Sequence, residues 1–189
     1  MSFLGGSEPQ FDPADAFVPE HVPEPGGFLE GHDVLDGRDH AALHRTVADA
    51  FEEYGVYDAT FGYNLARLNR DPRHTDAGFR YAEEADDPTT LRAEFTPTTA
   101  FCPQAEPLAV GALRALAAVD GHGYEAVRVR VDASLDGSDD VNERLAEMES
   151  GEILPEPSGG QGLSGGVAPG ERDPASDRGD SPSDPSAPF

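Results

Sequence analysis

Residues 89–131 read TTLRAEFTPTTAFCPQAEPLAVGALRALAAVDGHGYEAVRVRV, and the order of patterns in this stretch decides the fold. Apolar and polar side chains alternate over residues 89–96 and again over residues 124–133, which predicts a half-buried strand at each place. Between them, apolar residues recur every three or four positions from Leu108 to Leu116, which predicts a helix. A strand, a helix and a second strand normally cross over into a parallel pair, so the two strands should be neighbours in one sheet.

Further elements lie on both sides of this unit. Residues 78–84 form another short strand-like segment before the turn residues 85–88, which favours a hairpin with the strand that follows. The stretch from His40 to Gly55 has apolar residues at helical spacing and a glycine where a helix can stop. Ser138 can cap a last helix. The sequence therefore predicts an α+β fold, a compact α/β two-layer domain in the order helix, β-hairpin, helix, strand, helix.

The periodicities converge on one apolar core. Its predicted members lie on the two strands and the last two helices: Phe95, Leu113, Leu116, Val127, Val129, Leu145 and Met148. Arg128 and Arg130 alternate with the valines and are expected on the opposite face of the sheet.

Composition divides the chain into three parts. Residues 1–35 carry prolines and phenylalanines among acidic residues, and we expect an irregular acidic arm whose aromatic rings could pack on the domain surface. Residues 36–154 contain the predicted α+β domain. Residues 155–189 are dense in Pro, Gly, Ser and Asp with almost nothing apolar to bury, so we expect a disordered acidic tail.

The charge balance is extreme, because the formal net charge is -24 and the 13 basic residues counted with it are all arginines. Without a polybasic patch, nucleic acid and membrane surfaces are poor partners. No apolar run approaches the roughly 20 residues that span a bilayer, and the first residues, MSFLGGSEPQ, lack a signal-peptide pattern, so we expect a cytoplasmic protein. Such an acidic surface is typical of proteins adapted to high salt, where ions screen the self-repulsion.

Cys102 is the single cysteine and the leading candidate for a functional residue. It lies between the predicted strand and helix, and free N–H groups at a helix start can stabilise a thiolate. Pro107 disfavours a regular helix from Pro103 onwards, so the helix should start near Glu106 with the thiol on a tight turn before it. A small, buried hydrophobic side chain is the alternative interpretation. One cysteine forms neither an internal disulfide nor a four-ligand site in one chain, so any cluster would need a second subunit or an outside thiol.

The segments DDPTTLRAEFTPTTAFCPQAEPLAVGALRALAAV and YEAVRVRVDASLDGSDDVNERLAEMES resemble the small metal-sulfur cluster biosynthetic proteins, which include the subunit that helps target cytosolic iron-sulfur clusters to recipient proteins. The shared pattern is a hairpin, a Thr-Pro-Thr turn, one cysteine, an apolar helix, a Val-alternating strand and a closing helix opened by Val-Asn. The resemblance implies that Cys102 is the reactive cysteine. It also implies that Thr96, Pro97 and Thr98 form the turn that presents it. Residues 71–74, DPRH, depart from the Asp-Pro-acidic-x-Pro segment that the family usually has there.

The resemblance implies an accessory factor, not an enzyme, in iron-sulfur cluster assembly or delivery to recipient proteins, with Cys102 as a transient metal contact. Its partners would be the assembly machinery, recipient apoproteins and a second copy of the chain in a homodimer. No cofactor would be stably bound, and a transient iron-sulfur cluster or iron would be shared between subunits. The alternative is a non-catalytic protein-interaction module in which the cysteine is structural. A thiol enzyme is disfavoured, since no His and Asn or Asp partners can be assigned to activate Cys102.

The histidines form weaker patterns. His40 and His44 have the i, i+4 spacing that two zinc ligands can use, but the HExxH pattern is absent. His74 and His122 could complete a site with Cys102, yet no ligand spacing such as C-x-x-C occurs. Structural or solvated roles are therefore expected for all four histidines.

Overall fold

The computed structural model describes residues 11–151, and this range contains three α-helices, six strands and two 3₁₀-helices. In chain order, the α-helices and strands are β1 (Asp33–Val34), α1 (Gly37–Tyr54), β2 (Tyr57–Asp58), β3 (Tyr63–Asn64), β4 (Gly78–Glu84), β5 (Asp87–Thr96), α2 (Ala105–Ala118), β6 (Ala126–Val131) and α3 (Ser138–Glu149). The 3₁₀-helices are Pro19–His21 and Leu65–Arg70. The predicted α+β order is confirmed as α1, the β4–β5 hairpin, α2, β6 and α3.

A four-stranded sheet in the order β1-β4-β5-β6 forms the centre of the domain. β4 and β5 pair antiparallel as the predicted hairpin, with Phe79 opposite Phe95. β5 and β6 pair in parallel, with Phe95 opposite Val131, so α2 connects a parallel pair as the sequence predicts. β2 and β3 form a separate two-stranded antiparallel sheet.

The apolar core packs on one face of the four-stranded sheet. Because successive side chains of a strand point to opposite faces, alternate residues of β4, β5 and β6 reach it. They are Phe79, Tyr81, Leu91, Ala93, Phe95, Val129 and Val131. The predicted core is confirmed: Phe95, Leu113, Leu116, Val129 and Leu145 are buried in it, and Val127 and Met148 are partly buried against it. On β6, Arg128 is exposed and Arg130 is half-buried, as expected for the other face.

The ends of the helices follow the sequence closely, with one exception. α1 stops where predicted, because Gly55 adopts a left-handed conformation with φ of 69° and its N–H bonds to the Phe51 carbonyl. α2 starts at Ala105, one residue before the predicted position. The predicted Ser138 cap is wrong, because Ser138 is already the first helical residue and the cap position belongs to Gly137 with φ of 81°.

Residues 11–35, the described part of the predicted arm, pack along the domain, so the structure has no break at residue 36. Three phenylalanines of the arm each lie near an arginine of the domain at cation–π distance. The pairs, with the distance from the guanidinium carbon to the ring centroid, are Phe11–Arg67 (5.5 Å), Phe17–Arg80 (5.5 Å) and Phe28–Arg92 (4.2 Å). The expected packing of the aromatic rings is therefore confirmed. The expectation of a wholly irregular arm is wrong, because β1 pairs with β4. The predicted tail, residues 155–189, lies outside the described residues.

The arm also covers the outer face of the sheet at Glu94. The N–H groups of Gly26 and Phe28 donate to the two carboxylate oxygens of Glu94, at 2.5 and 3.1 Å. Burial raises the pKa of Glu94, and the neighbouring carboxylate of Asp132 acts in the same direction. Glu94, which the alternation of the strand places on the outer face of β5, is thus buried by the arm, a segment far away in sequence.

Two asparagine side chains cap the main chain of the sheet, one on β4 and one on β6, and each bonds to the N–H and the carbonyl of one strand residue. On the β1 side of β4, Asn69 Oδ1 accepts the Phe79 N–H and Asn69 Nδ2 donates to the Phe79 carbonyl, both at 2.7 Å. On β6, Asn142 makes the same pair of bonds with Val131, at 2.7 and 2.9 Å. Main-chain groups that could pair with another strand are therefore occupied at both places.

Candidate functional site around Cys102

Cys102 lies on the turn that joins β5 to α2, half-buried and with a free thiol. Part of its side chain packs against the core. Its carbonyl accepts the Ala105 N–H at 3.2 Å, which closes the turn immediately before the helix. The predicted position, on a tight turn between a strand and a helix, is confirmed.

The predicted presenting turn lies before the cysteine, with three residues between them. Thr96 ends β5, Pro97 is buried, and Thr98 is half-buried. The loop after β6 braces this turn, because the Asp136 N–H donates to the Ala100 carbonyl at 2.9 Å. The segment between the residues that the resemblance assigns to the site, Thr96, Pro97 and Thr98 on one side and Cys102 on the other, is thus held from a second loop.

Gln104 is a site residue that the sequence did not reveal. Its Oε1 accepts the Ala59 N–H at 3.0 Å, and its Nε2 donates to Thr60 Oγ1 at 2.7 Å. These bonds hold the loop between β2 and β3 against the cysteine turn. A polar residue before an apolar helix was the only signal in the sequence, and it does not identify a partner 45 residues away.

Three large side chains with aromatic rings are exposed in residues 11–151, and one of them is next to Cys102. Phe101, next to Cys102, is 80% exposed, Tyr57 in β2 is 41% exposed, and Tyr54 at the end of α1 is 47% exposed. Tyr57 lies two residues before Ala59, which Gln104 binds. We call Tyr54, Tyr57 and Phe101 the aromatic surface. Aromatic residues are enriched at protein contact sites.

The stretch from Asp71 to His74, which departs from the family pattern, makes structural contacts. Asp71 is buried and accepts hydrogen bonds from the Tyr63 hydroxyl at 3.0 Å and from Arg73 Nε at 2.8 Å. The bonds from Arg73 contribute most to lowering the pKa of Asp71 to about 2, against the effect of burial. The His74 ring packs on Phe61, with 4.6 Å between centroids. This stretch therefore anchors the chain before β4.

His40 and His44 stack on α1 with 5.6 Å between their ring centroids. His44 Nδ1 accepts the Tyr81 hydroxyl at 2.6 Å, and its Nε2 donates to the Ala66 carbonyl at 2.8 Å. Neither ring nitrogen of His40 has a hydrogen-bond partner among residues 11–151. Burial is the main cause that lowers the pKa of His40 to about 3 and that of His44 to about 4. His44 has the structural role expected of it, whereas the buried ring of His40 finds no hydrogen-bond partner in the described part of the chain.

Across residues 11–151, no group of three or more His, Cys, Asp or Glu side chains could hold a metal ion. His122, a weak candidate from the sequence, instead donates from Nε2 to the Leu116 carbonyl at 2.9 Å. Cys102 would therefore need ligands from another molecule, or from the rest of the chain, to hold iron.

A cavity of about 330 Å³ lies between the arm and the start of α3. Phe28, Glu94, Arg130 and Asn142 are among its lining residues. Glu94 and Asn142 are engaged as described above, and Arg130 donates two hydrogen bonds to the carboxylate of Glu149, at 2.7 and 3.0 Å. These three polar side chains are already paired, which makes this cavity a weaker candidate than the cysteine turn.

None of the helices in residues 11–151 combines the length and the apolar character needed to cross a membrane. No curated protein and no solved structure matches the chain. A family model described as a domain of unknown function, DUF7998, matches residues 9–154, which include the arm, the sheet and the Cys102 turn. The chain therefore belongs to the DUF7998 family.

Proposed function

We propose that this protein is an accessory factor, not an enzyme, in iron-sulfur cluster assembly or delivery to recipient proteins. Cys102 is its transient contact with iron, a cluster or a client thiol. The observation that carries the proposal is the position of Cys102, on the turn from a strand into the helix that connects two parallel strands. The resemblance to metal-sulfur cluster biosynthetic proteins assigns the reactive cysteine to the same place.

The surroundings of the thiol support a transient contact. Cys102 is free and half-buried, and it provides one sulfur ligand, whereas an iron-sulfur cluster commonly takes four cysteines. The cluster is therefore cargo that this chain shares with a second molecule. We place the activity in the cytoplasm, where thiols are kept reduced.

The bracing of the turn supports the same function. The Asp136 N–H and the Gln104 side chain fix the segment on either side of Cys102. A contact made by a preorganised turn loses less conformational freedom on binding than one made by a flexible segment.

A protein-interaction module with a structural cysteine is the second candidate. It is favoured by the packing of part of the Cys102 side chain against the core. In this function the aromatic surface binds a partner, and the sulfur takes no part.

The test is replacement of Cys102 by Ser and by Ala in cells, with Thr99→Ala as the matched control. Thr99 is exposed on the same turn and carries no charge. The proposed function requires that both Cys102 variants lower the activity of iron-sulfur enzymes, while cluster-free enzymes and the Thr99→Ala cells are unaffected. Normal iron-sulfur enzyme activity together with intact partner binding would support the second candidate instead.

The purified variants must also be folded for this comparison. Cys102→Ala should cost about 1 kcal/mol of unfolding free energy, because it removes a small, partly buried side chain. Thermal melting of the variants separates such a loss from a loss of function.

A further inference from the structure

The cavity between the arm and α3 is lined by a serine whose hydroxyl is unpaired in the described part of the chain. Ser138 is 7% exposed and lines this cavity. Its N–H donates to the Leu135 carbonyl at 3.1 Å, but its hydroxyl forms no hydrogen bond within residues 11–151. Because buried polar groups in proteins are nearly always hydrogen-bonded, this hydroxyl indicates a place for a polar group of a ligand.

Glu94 brings a buried negative charge to the same cavity. Its side chain is 1% exposed, and it forms no ion pair with an arginine or histidine of residues 11–151. The groups that bond to its oxygens are the uncharged main-chain N–H groups of Gly26 and Phe28. A buried carboxylate is costly without a counter-charge, so this one favours a positively charged ligand group.

The other charges around the cavity also favour a cation. Asp139 lines it, and the Asp132 carboxylate lies near enough to Glu94 to raise its pKa. The guanidinium of Arg130 is neutralised by its two hydrogen bonds to Glu149, at 2.7 and 3.0 Å. The potential inside the cavity is therefore negative, which attracts cations and repels anions.

An organic cation suits this cavity better than a metal ion. No group of three or more His, Cys, Asp or Glu side chains in residues 11–151 could hold a metal. Phe28, Val131 and Ala133 supply apolar walls, and the volume is about 330 Å³. Small-molecule sites typically combine apolar walls with a few polar groups, in volumes from about 300 Å³ upwards.

We infer that this cavity binds a small organic cation that has an ammonium group at one end and a hydroxyl at the other. Glu94 accepts hydrogen bonds from the ammonium group, and Ser138 bonds to the hydroxyl. A carboxylate in place of the ligand hydroxyl is disfavoured, because Asp139 would repel it. Cys102 is not among the lining residues, so the inference does not depend on the proposed function.

The first experiment titrates the full chain with butanolamine, a linear molecule with an amine at one end and a hydroxyl at the other. NMR at neutral pH follows the amide signals of Gly27, Phe28, Ser138 and Asp139, which line the cavity. We expect these signals to shift with a dissociation constant of about 1 mM, as suits so small a ligand. Equimolar KCl is the control for ionic strength.

Two matched probes separate the two ends of the ligand. Butanol lacks the charge and should bind at least about tenfold more weakly than butanolamine, because Glu94 loses its counter-ion. Butylamine lacks the hydroxyl and should bind about threefold to tenfold more weakly, because one uncharged hydrogen bond is lost.

Substitutions test the same two contacts from the protein side. Glu94→Gln should raise the dissociation constant of butanolamine at least about tenfold. Ser138→Ala should raise it about threefold to tenfold and leave that of butylamine unchanged, since butylamine has no group for the serine hydroxyl. Ser134→Ala, at an exposed position in the loop before α3, is the matched control and should bind both amines normally.

Gly27→Leu tests the cavity with Glu94 left intact, because Glu94→Gln also disturbs the bonds that hold the arm. Gly27 lines the cavity, and a Cβ there would meet nothing within 4 Å. The leucine side chain should fill the space and abolish binding of butanolamine. Thermal melting of this variant should match that of the unsubstituted chain.

Four results would overturn the inference. They are amide shifts no larger than those that equimolar KCl produces, equal affinity for butanol and butanolamine, a Ser138→Ala chain that binds butanolamine normally, and a Gly27→Leu chain that does so.

Discussion

The ring of His40 lies edge-on against the ring of Phe17, with 5.0 Å between the centroids and 61° between the planes. Arg80 lies on the same phenylalanine, 5.5 Å from its centroid. The arm thus packs on a histidine whose two nitrogens have no hydrogen-bond partner within the residues that the structure describes. Burial, followed by the nearby His44 and Arg80, disfavours the charged form of His40. The contact between arm and domain therefore depends on a neutral imidazole.

Lowering the pH should destabilise the protein at pH values above those at which most carboxylates gain a proton. In the folded state the pKa values of His40 and His44 are about 3 and about 4, whereas in the unfolded chain both should be near 6.5. The unfolded state therefore binds more protons than the folded state below pH 6.5, and the free energy of unfolding decreases as the pH is lowered. From about pH 7.5 to about pH 5.5, each histidine should remove about 1.4 kcal/mol of unfolding free energy. Urea unfolding at constant salt measures this change, and a flat profile would contradict it.

Replacement of each histidine should separate two effects on the free energy of unfolding, that of histidine protonation and that of histidine hydrogen bonds. His40→Leu should raise the unfolding free energy at pH 7 by about 1 kcal/mol, because it removes two unpaired buried nitrogens. His44→Leu should lower it by about 1 to 3 kcal/mol, because the Tyr81 hydroxyl and the Ala66 carbonyl lose their partner. Both variants should show a shallower pH dependence. Equal stability changes in the two would show that the hydrogen bonds of His44 contribute nothing.

Gly26 should be intolerant of a side chain, and the adjacent Gly27 provides the control. A Cβ at Gly26 would lie 2.7 and 2.9 Å from the carboxylate oxygens of Glu94 and closer still to Asp132 Oδ2, whereas a Cβ at Gly27 would meet nothing within 4 Å. Gly26→Ala should therefore cost about 1 to 3 kcal/mol of unfolding free energy. Gly27→Ala should be neutral or slightly stabilising. Thermal melting compares them, and identical melting temperatures would mean that the arm is not held at Glu94.

Asn142→Asp should weaken the cap on β6. The aspartate can still accept the Val131 N–H, but the Val131 carbonyl loses its donor and faces a carboxylate. We expect a loss of about 1 to 3 kcal/mol, measured from the urea midpoint. Glu143→Gln, at the exposed neighbouring position, should have little effect. A larger loss for Glu143→Gln than for Asn142→Asp would contradict the role of the cap.

Anaerobic reconstitution should distinguish cargo from a resident cluster. A monomer without added thiol should carry little or no iron-sulfur cluster, because Cys102 supplies one ligand. A cluster should appear with dimerisation or with added low-molecular-weight thiol. Absorbance combined with size-exclusion chromatography measures both. A stable cluster on a monomer without added thiol would require ligands other than those assigned here.

Local periodicity was sufficient to predict the main elements. Phe95 and Val129 lie in strands whose apolar residues alternate, and Leu113 and Leu145 lie on helices with a regular apolar stripe. The crossover rule then places β6 parallel to β5. The turn that carries Cys102 follows from the same pattern, since it is the junction between two such elements.

The parts that were missed depend on contacts between distant residues. β1, β2 and β3 have two residues each, too few to show a period. The β2–β3 region is instead fixed by side chains such as Asn64, which accepts the Ala66 N–H and donates to the Ala48 carbonyl. Gln104 and Phe101 belong to the site because of tertiary contacts and exposure, and neither has a local signature. The burial of Glu94 likewise requires the arm.

The attachment of the arm to β5 has a consequence for biosynthesis. Phe28 leaves the ribosome early, but Glu94 follows it by 66 residues, and Arg130, which lies 5.3 Å from the centroid of its ring, follows later still. Since chains emerge from the amino end first, the arm must wait for β6 before its docking site is complete. Docking of the arm therefore has to be completed late in translation or after release, and contacts of such long sequence separation make this step slow.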